Sequence, residues 1–297
     1  MSFASSIELA EACCTAGIIG GWQGGSVTGN GEFLAYLERL DRIEGGLPIV
    51  NIPARWGSDP NHADRLDLLA RFNVPLVLSS VGDPSALVDR VHGWGGKLIH
   101  DVTTMRHARK AIAAGADGLM LTCAGAGGHT GFLSPMAFVP AIRREFEGLL
   151  IVAGGIADAH GIVAALALGG DVACMGTRFI ATPESGVVEG HREMIPEAEA
   201  DDIVVSAAMN GVPANWMRQS IESVGLDLRT LPPTTSAMPE GVRPWRDIWS
   251  AGQSVALVDV VEPVAGLIKR FKRELEELLP ANRWRPRLEQ IAASWNS

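Results

Sequence analysis

One stretch concentrates the residue types that can do chemistry. Leu119–Gly131 reads LMLTCAGAGGHTG and sets a single histidine, His129, behind Gly125, Ala126, Gly127 and Gly128. Backbone with so little side chain lets a flat ligand come close. Within this stretch only His129 can exchange a proton near neutrality, imidazole having an ordinary pKa of about 6.5. Such a ring can act as a base or hold an anion as a cation. Two more glycine turns follow, Ala153-Gly154-Gly155-Ile156 and Met175-Gly176-Thr177-Arg178. Turns of this kind, whose N–H groups lie beside a helix start, suit a phosphate. Asp158 is the expected cap of the helix after Gly155. The patterns G-x-G-x-x-G and G-x-x-x-x-G-K-[ST] are absent. A mononucleotide such as FMN is therefore favoured over NAD or ATP held in their usual folds.

Strands must present these turns. The pattern predicts strands near Ile18–Trp22, Pro48–Ile52, Pro75–Ser80, Lys97–Val102, Gly118–Cys123, Leu149–Ala153 and Val172–Gly176. Helical patterns lie between them, at Phe33–Glu44, Ala63–Arg71, Pro84–Trp94, Met105–Ala114 and Asp158–Leu168. Apolar strands alternating with helices mean a parallel sheet covered by helices. Ala114-Gly115-Ala116-Asp117 and Leu168-Gly169-Gly170-Asp171 read as helix exits with glycine as the C-cap. The expected fold is α/β, a TIM-type (β/α)8 barrel with units of roughly 20–30 residues. Seven strands are visible, and helix-like Ile7–Ala16 precedes the first. The first strand of the barrel is thus expected to be missing or irregular. Residues 184–228 read as helical, with a turn at Asn210-Gly211-Val212-Pro213, and residues 230–246 read as a loop rich in Pro, Thr and Gly. A last helix is expected over Val255–Leu279. The expected division is a barrel over 1–183, a helical lid over 184–250, and C-terminal helices packing back over 251–297.

Barrel chemistry sits at the carboxyl ends of the strands. Asn51, Ser79, Ser80, His100, Asp101, Thr122 and the three glycine turns fall there. Only one of His100 and Asp101 can face the barrel axis, and His100 is the expected one, as a substrate contact or a structural group. Ser254 is expected to reach the site from its helix start. Gly252-Gln253-Ser254-Val255-Ala256 lacks the second glycine and the preceding strand of a nucleophile elbow, which argues against a serine hydrolase. Metal-ligand spacings such as CxxC or HExxH are absent, so no metal is expected. Four cysteines in 297 residues do not suggest a disulfide framework. A net charge of −9 without a basic stripe argues against nucleic acid. No signal pattern or membrane-length apolar run is visible, and a soluble cytoplasmic protein is expected.

The residues Ala12–Gly20 (ACCTAGIIG), Asn51, Gly115–Gly118, Ala126–Gly131 (AGGHTG), Ala153–Asp158 (AGGIAD), Met175–Phe179 (MGTRF), Gly211–Ala214 and Ala251-Gly252-Gln253 resemble, in order, motifs of the nitronate monooxygenase family. The combination is specific, although each glycine turn alone is not. The resemblance implies an FMN-binding barrel with a helical lid. It implies oxidation of alkyl nitronates by oxygen to a carbonyl compound and nitrite, on a nitronate or nitroalkane substrate. It makes His129 the catalytic or substrate-binding residue. It maps flavin contacts onto Asn51, Thr122, Gly127, Gly155 and Cys174, Met175, Gly176 and Thr177, with Gly128 and Gly154 beside them. Two departures stand out. Many members carry glutamine where Thr122 stands and glutamate where Gly125 stands. The family's opening strand, which runs into a Pro-Met motif against the flavin, has no counterpart, and Met1 aligns with that methionine. The native start is therefore expected upstream.

The same barrel and GGH motif also resemble flavin-dependent enoyl-acyl-carrier-protein reductases and NADH:quinone reductases, which would need NAD(P)H. A phosphosugar barrel and a flavin-less binding protein are the rivals without redox chemistry. A homodimer is one option for the assembly.

Overall fold

The computed structural model describes residues 3–27, 29–54, 61–235 and 238–281. Met1 and the stretch 282–297 lie outside these residues. Helix α1 (Ile7–Thr15) leads into β1 (Gly20–Trp22). Four helix–strand units follow: α2 (Asn30–Leu40) and β2 (Pro48–Pro53), α3 (His62–Arg71) and β3 (Leu76–Ser80), α4 (Ser85–Gly93) and β4 (Lys97–Val102), α5 (Met105–Ala113) and β5 (Gly118–Thr122). A two-residue strand, β6 (Gly128–His129), precedes α6 (Pro135–Arg143), β7 (Leu149–Ala153), α7 (Ala159–Ala167) and β8 (Val172–Cys174). Then come α8 (Thr177–Ile180), α9 (Glu189–Glu197), β9 (Ile203–Ser206), β10 (Ala214–Met217), α10 (Arg218–Ser223) and α11 (Val264–Ala281).

Seven strands form one parallel sheet in the order β1-β2-β3-β4-β5-β7-β8. The sheet curls as the barrel reading requires. Ile49, Ile99 and Ile151, from three separate strands, pack together with Leu78, Met120 and Cys174 in its hollow. Ahead of α1, residues 3–6 make a turn and a bend, so no strand stands between β1 and β8 among the described residues. Helices pack near those edges instead: Leu9 and Cys13 of α1, Phe179 of α8 and Leu267, Ile268 and Phe271 of α11 share one apolar cluster.

Local chemistry explains the element ends. Ser6, Thr104, Ser134 and Asp158 each accept a backbone N–H at a helix start, Asp158 from Gly161 at 2.7 Å. Gly115 and Gly169 leave α5 and α7 at φ +89° and +105°, where a side chain would be strained. The aspartates that follow do a second job. Asp117 accepts Leu98 N at 2.9 Å and Asp171 accepts Leu150 N at 2.8 Å, so each helix exit is tied to the start of a neighbouring strand.

Two expectations are corrected. The span 184–228 is not helical throughout: β6, β10 and β9 form a three-stranded antiparallel sheet. Short strands of this kind exist because of their pairing partners. The last helix begins at Val264 rather than Val255. Residues 253–257 make a 3-10 turn instead, and Pro263 stands just before the helix, its carbonyl accepting Leu267 N at 3.0 Å. Among the described residues no helix is long and apolar enough to cross a membrane.

Candidate active site

The glycine loop after β5 is held from outside the barrel. A Cβ on Gly127 would stand 2.9 Å from Gly252 N, and one on Gly252 would stand 2.4 Å from Gly125 O. Gln253 N donates to Gly125 O at 3.0 Å. Small residues at 125, 127 and 252 therefore serve a close approach of two backbones. Gly127 lines the cavity as well, so its backbone contact stands beside the ligand approach expected there. Strand β10 adds to the grip. In the register, Ala214 faces His129 and Asn215 faces Gly128. Asn215 Nδ2 donates to Ala126 O at 2.6 Å. Ser250 Oγ accepts Gly128 N at 2.7 Å and donates to Asn215 O at 2.6 Å.

His129 emerges from this frame with its ring exposed to a large cavity. Asn210 Nδ2 lies 2.9 Å from His129 Nε2. Trp245 meets the imidazole edge-on, with centroids 5.3 Å apart, and is itself packed on Trp216 at 4.2 Å. Partial desolvation lowers the His129 pKa below its ordinary value, which favours the neutral ring.

The cavity has a volume of about 1840 Å³ and runs over the carboxyl ends of the strands. Pockets for single small ligands occupy roughly 300–1,000 Å³, so this one has room for a cofactor and a substrate together. Asn51, Thr122, Gly127, Gly128, Gly154, Gly155, Cys174, Met175, Gly176, Thr177, His100, Ser254 and His129 all line it. Two observations fit a cofactor with polar edges. Asn51 Oδ1 is buried without a hydrogen-bond partner, and such an acceptor calls for a donor from a ligand. Gly155, at φ +74°, has no atom within 4 Å of where a Cβ would stand, so open space lies beside its backbone. Gly154, by contrast, is pressed against Cys123 O and Ala124 O. Thr177 Oγ1 accepts Gly252 N at 2.8 Å, which ties the third glycine turn to the segment that packs on the first.

The order of His100 and Asp101 is reversed from expectation. The hollow of the sheet takes Ile99 and Leu78, while Leu98 and Val77 belong to the helix-side core. By alternation Asp101 points inward and His100 outward. Asp101 Oδ1 accepts Thr122 Oγ1–H at 2.6 Å. Burial pushes its carboxyl up to about 6, against the lowering effect of that hydrogen bond. His100 is buried with Nδ1 2.8 Å from Ser79 Oγ, and it also borders the cavity. Ser254 is buried in its 3-10 turn and lines the cavity.

Asp101 was weighed in the sequence and set behind His100; four other polar or aromatic groups of the site escape sequence reasoning: His191, Asn210, Asn215 and Trp245. His191 stacks on Trp249 at 5.3 Å and 10°, with Nε2 3.2 Å from Ser250 O. Desolvation brings its pKa down to about 4. For Asn210 a sequence signal existed: it opens the Asn-Gly-Val-Pro turn.

The family described as nitronate monooxygenase matches residues 45–273. A nitronate monooxygenase from Paraburkholderia phytofirmans is 32% identical over 219 residues, 66% of this chain and 59% of that protein. The (3aS,4S,5R,7aS)-5-hydroxy-7a-methyl-1-oxo-octahydro-1H-indene-4-carboxyl-CoA dehydrogenase of Mycobacterium tuberculosis is 28% identical, covering 74% of this chain and 62% of that protein. The chain thus spans about three fifths of the length of these two relatives. FabK from Thermotoga maritima shares the fold with a TM-score of 0.79 at 29% identity, over 95% of this chain and 93% of that one.

Proposed function

Because the chain belongs to the nitronate monooxygenase family, we propose that it is an FMN-dependent oxidoreductase that oxidises alkyl nitronates with oxygen to a carbonyl compound and nitrite. One observation carries the reading: His129 projects into the same cavity that Asn51 and Gly155 line as a cofactor seat. FMN would supply the redox chemistry. The chain's residues would do the rest. Gly155 and Gly176-Thr177 would offer backbone and hydroxyl donors to the phosphate, and Asn51 Oδ1 would accept from the ring edge. Thr122 and Asp101 would line the floor, and Cys174 and Met175 would border it. His129 would meet the substrate, and the β6–β10 frame would keep its ring from wandering.

An absorption spectrum of the purified protein tests the cofactor, and oxygen consumption with an alkyl nitronate tests the reaction. A colourless protein, or a yellow one that consumes no oxygen with a nitronate, would count against the proposal.

A second reading is an NAD(P)H-linked flavin oxidoreductase acting on a thioester of coenzyme A. It is favoured by one feature, the exposed cations Arg106 and Lys110, with His107 between them, on the rim of the cavity, which suit phosphates. A relative named as a carboxyl-CoA dehydrogenase points the same way. Anaerobic mixing with NADH separates the two: bleaching of the flavin band favours the second reading, and an unchanged band favours the first.

A further inference from the structure

We propose that Asn210 is a positioning residue for His129, fixing its ring as the uncharged imidazole that carries its proton on Nδ1. This deepens the reading of His129 as the group that meets substrate, and rests on it.

The argument begins with the orientation of an amide. Asn210 Oδ1 accepts the backbone N–H of Val212 at 3.1 Å. This is an Asx turn, and it commits the carbonyl oxygen. The amide nitrogen is then the atom left to face His129, 2.9 Å from Nε2. An amide nitrogen donates and does not accept. Nε2 must therefore offer its lone pair, and the ring proton resides on Nδ1, an assignment made from the hydrogen-bond network. An imidazolium would set one N–H against another across the same 2.9 Å.

The turn that carries Asn210 is itself fixed. Gly211 follows at φ +82°, and a Cβ there would stand 2.6 Å from Thr235 Oγ1. Strand β10 begins three residues later and pairs with His129. The β9–β10 connection thus carries Asn210, while β10 itself pairs with His129.

The groups in direct contact with the ring, Asn210 and Trp245, carry no charge. The titratable groups that share the cavity are Cys13, Asp83, His100, Asp101, Cys174, His191 and Lys272, with Arg106, His107 and Lys110 on the rim. None is hydrogen-bonded to His129 among the described residues. Desolvation already lowers the His129 pKa, and the amide acts in the same direction. A ring held this way presents a donor and no free lone pair. It suits the oxygen of a nitronate anion. It does not suit the C–H of a neutral nitroalkane, which needs a base.

The test is NMR of the intact chain labelled with ¹⁵N-histidine, with His129 assigned by His129→Gln. The expected wild-type ring is protonated on Nδ1, and its midpoint lies below the ordinary value. In Asn210→Leu the ring should shift toward the Nε2–H form that an unconstrained histidine side chain prefers, and the midpoint should rise. In Asn210→Asp the midpoint should rise further, by on the order of one unit from the neighbouring carboxylate. The pH profile of nitronate turnover should move with it. An Nε2–H ring in the wild type would overturn the proposal, and that spectrum needs no variant to fold. So would identical tautomer and midpoint in wild type and Asn210→Leu. Unchanged turnover in His129→Ala would instead remove the role of His129, and leave the NMR result standing.

Discussion

Thr122 Oγ1 donates a 2.6 Å hydrogen bond to Asp101 Oδ1 in the hollow of the barrel, and burial raises this carboxyl from 3.8 to about 6. The folded state therefore holds a proton that the unfolded state releases between those values. Stability should fall as pH rises through this window, and stay reduced above it. Asp101→Asn keeps the acceptor for Thr122 and removes the titration. Urea unfolding at pH 4 and pH 7 should show the wild type losing on the order of 2 kcal/mol relative to Asp101→Asn. A difference between the two proteins that does not change with pH would contradict the assignment.

Gly155 combines a positive φ with open space beside it. Gly155→Val puts a strained, branched side chain into the proposed phosphate seat. The variant should fold and purify without the flavin absorption band. A yellow Gly155→Val protein would move the phosphate elsewhere.

Ser250 holds the glycine loop through Gly128 N at 2.7 Å. Ser250→Ala leaves that N–H without its acceptor, at a cost of about 1–3 kcal/mol. Turnover should drop by about tenfold through lost positioning of His129, while flavin content stays. Kinetics on the flavin-loaded variant would show unaltered turnover if the frame were irrelevant.

Arg178 is fully buried and is held by Glu262 at 2.5 Å and Val260 O at 3.1 Å. Glu262 also pairs with Arg270. Removing the carboxylate leaves a buried cation uncompensated. Denaturant unfolding of Glu262→Ala should show a loss of about 3 kcal/mol, larger than that of Glu277→Ala on the exposed side of α11. Equal losses would show that the pair contributes little.

The barrel was legible because its strands and helices alternate in one simple rhythm, with glycine and aspartate marking two of the helix exits. Asp117 and Asp171 show why that mark recurs: each ties its exit to a neighbouring strand. The inward face of β4 was not legible. Leu98-Ile99-His100-Asp101-Val102 is buried on both sides of the sheet, and such a strand carries no alternation to read. The partners of His129 were hidden for another reason. Asn210 lies 81 residues away along the chain, and β6 is two residues that become a strand only by pairing with β10. The roles of Gly127 and Gly155 could be told apart only once the neighbouring backbones were placed.

The central claim is that one imidazole works above a bound flavin. The most direct measurement is oxygen consumption with an alkyl nitronate by purified His129→Ala, read beside its flavin spectrum. The account predicts a yellow protein whose turnover has fallen by on the order of a hundredfold or more. A yellow His129→Ala protein that turns over as fast as the wild type would contradict it.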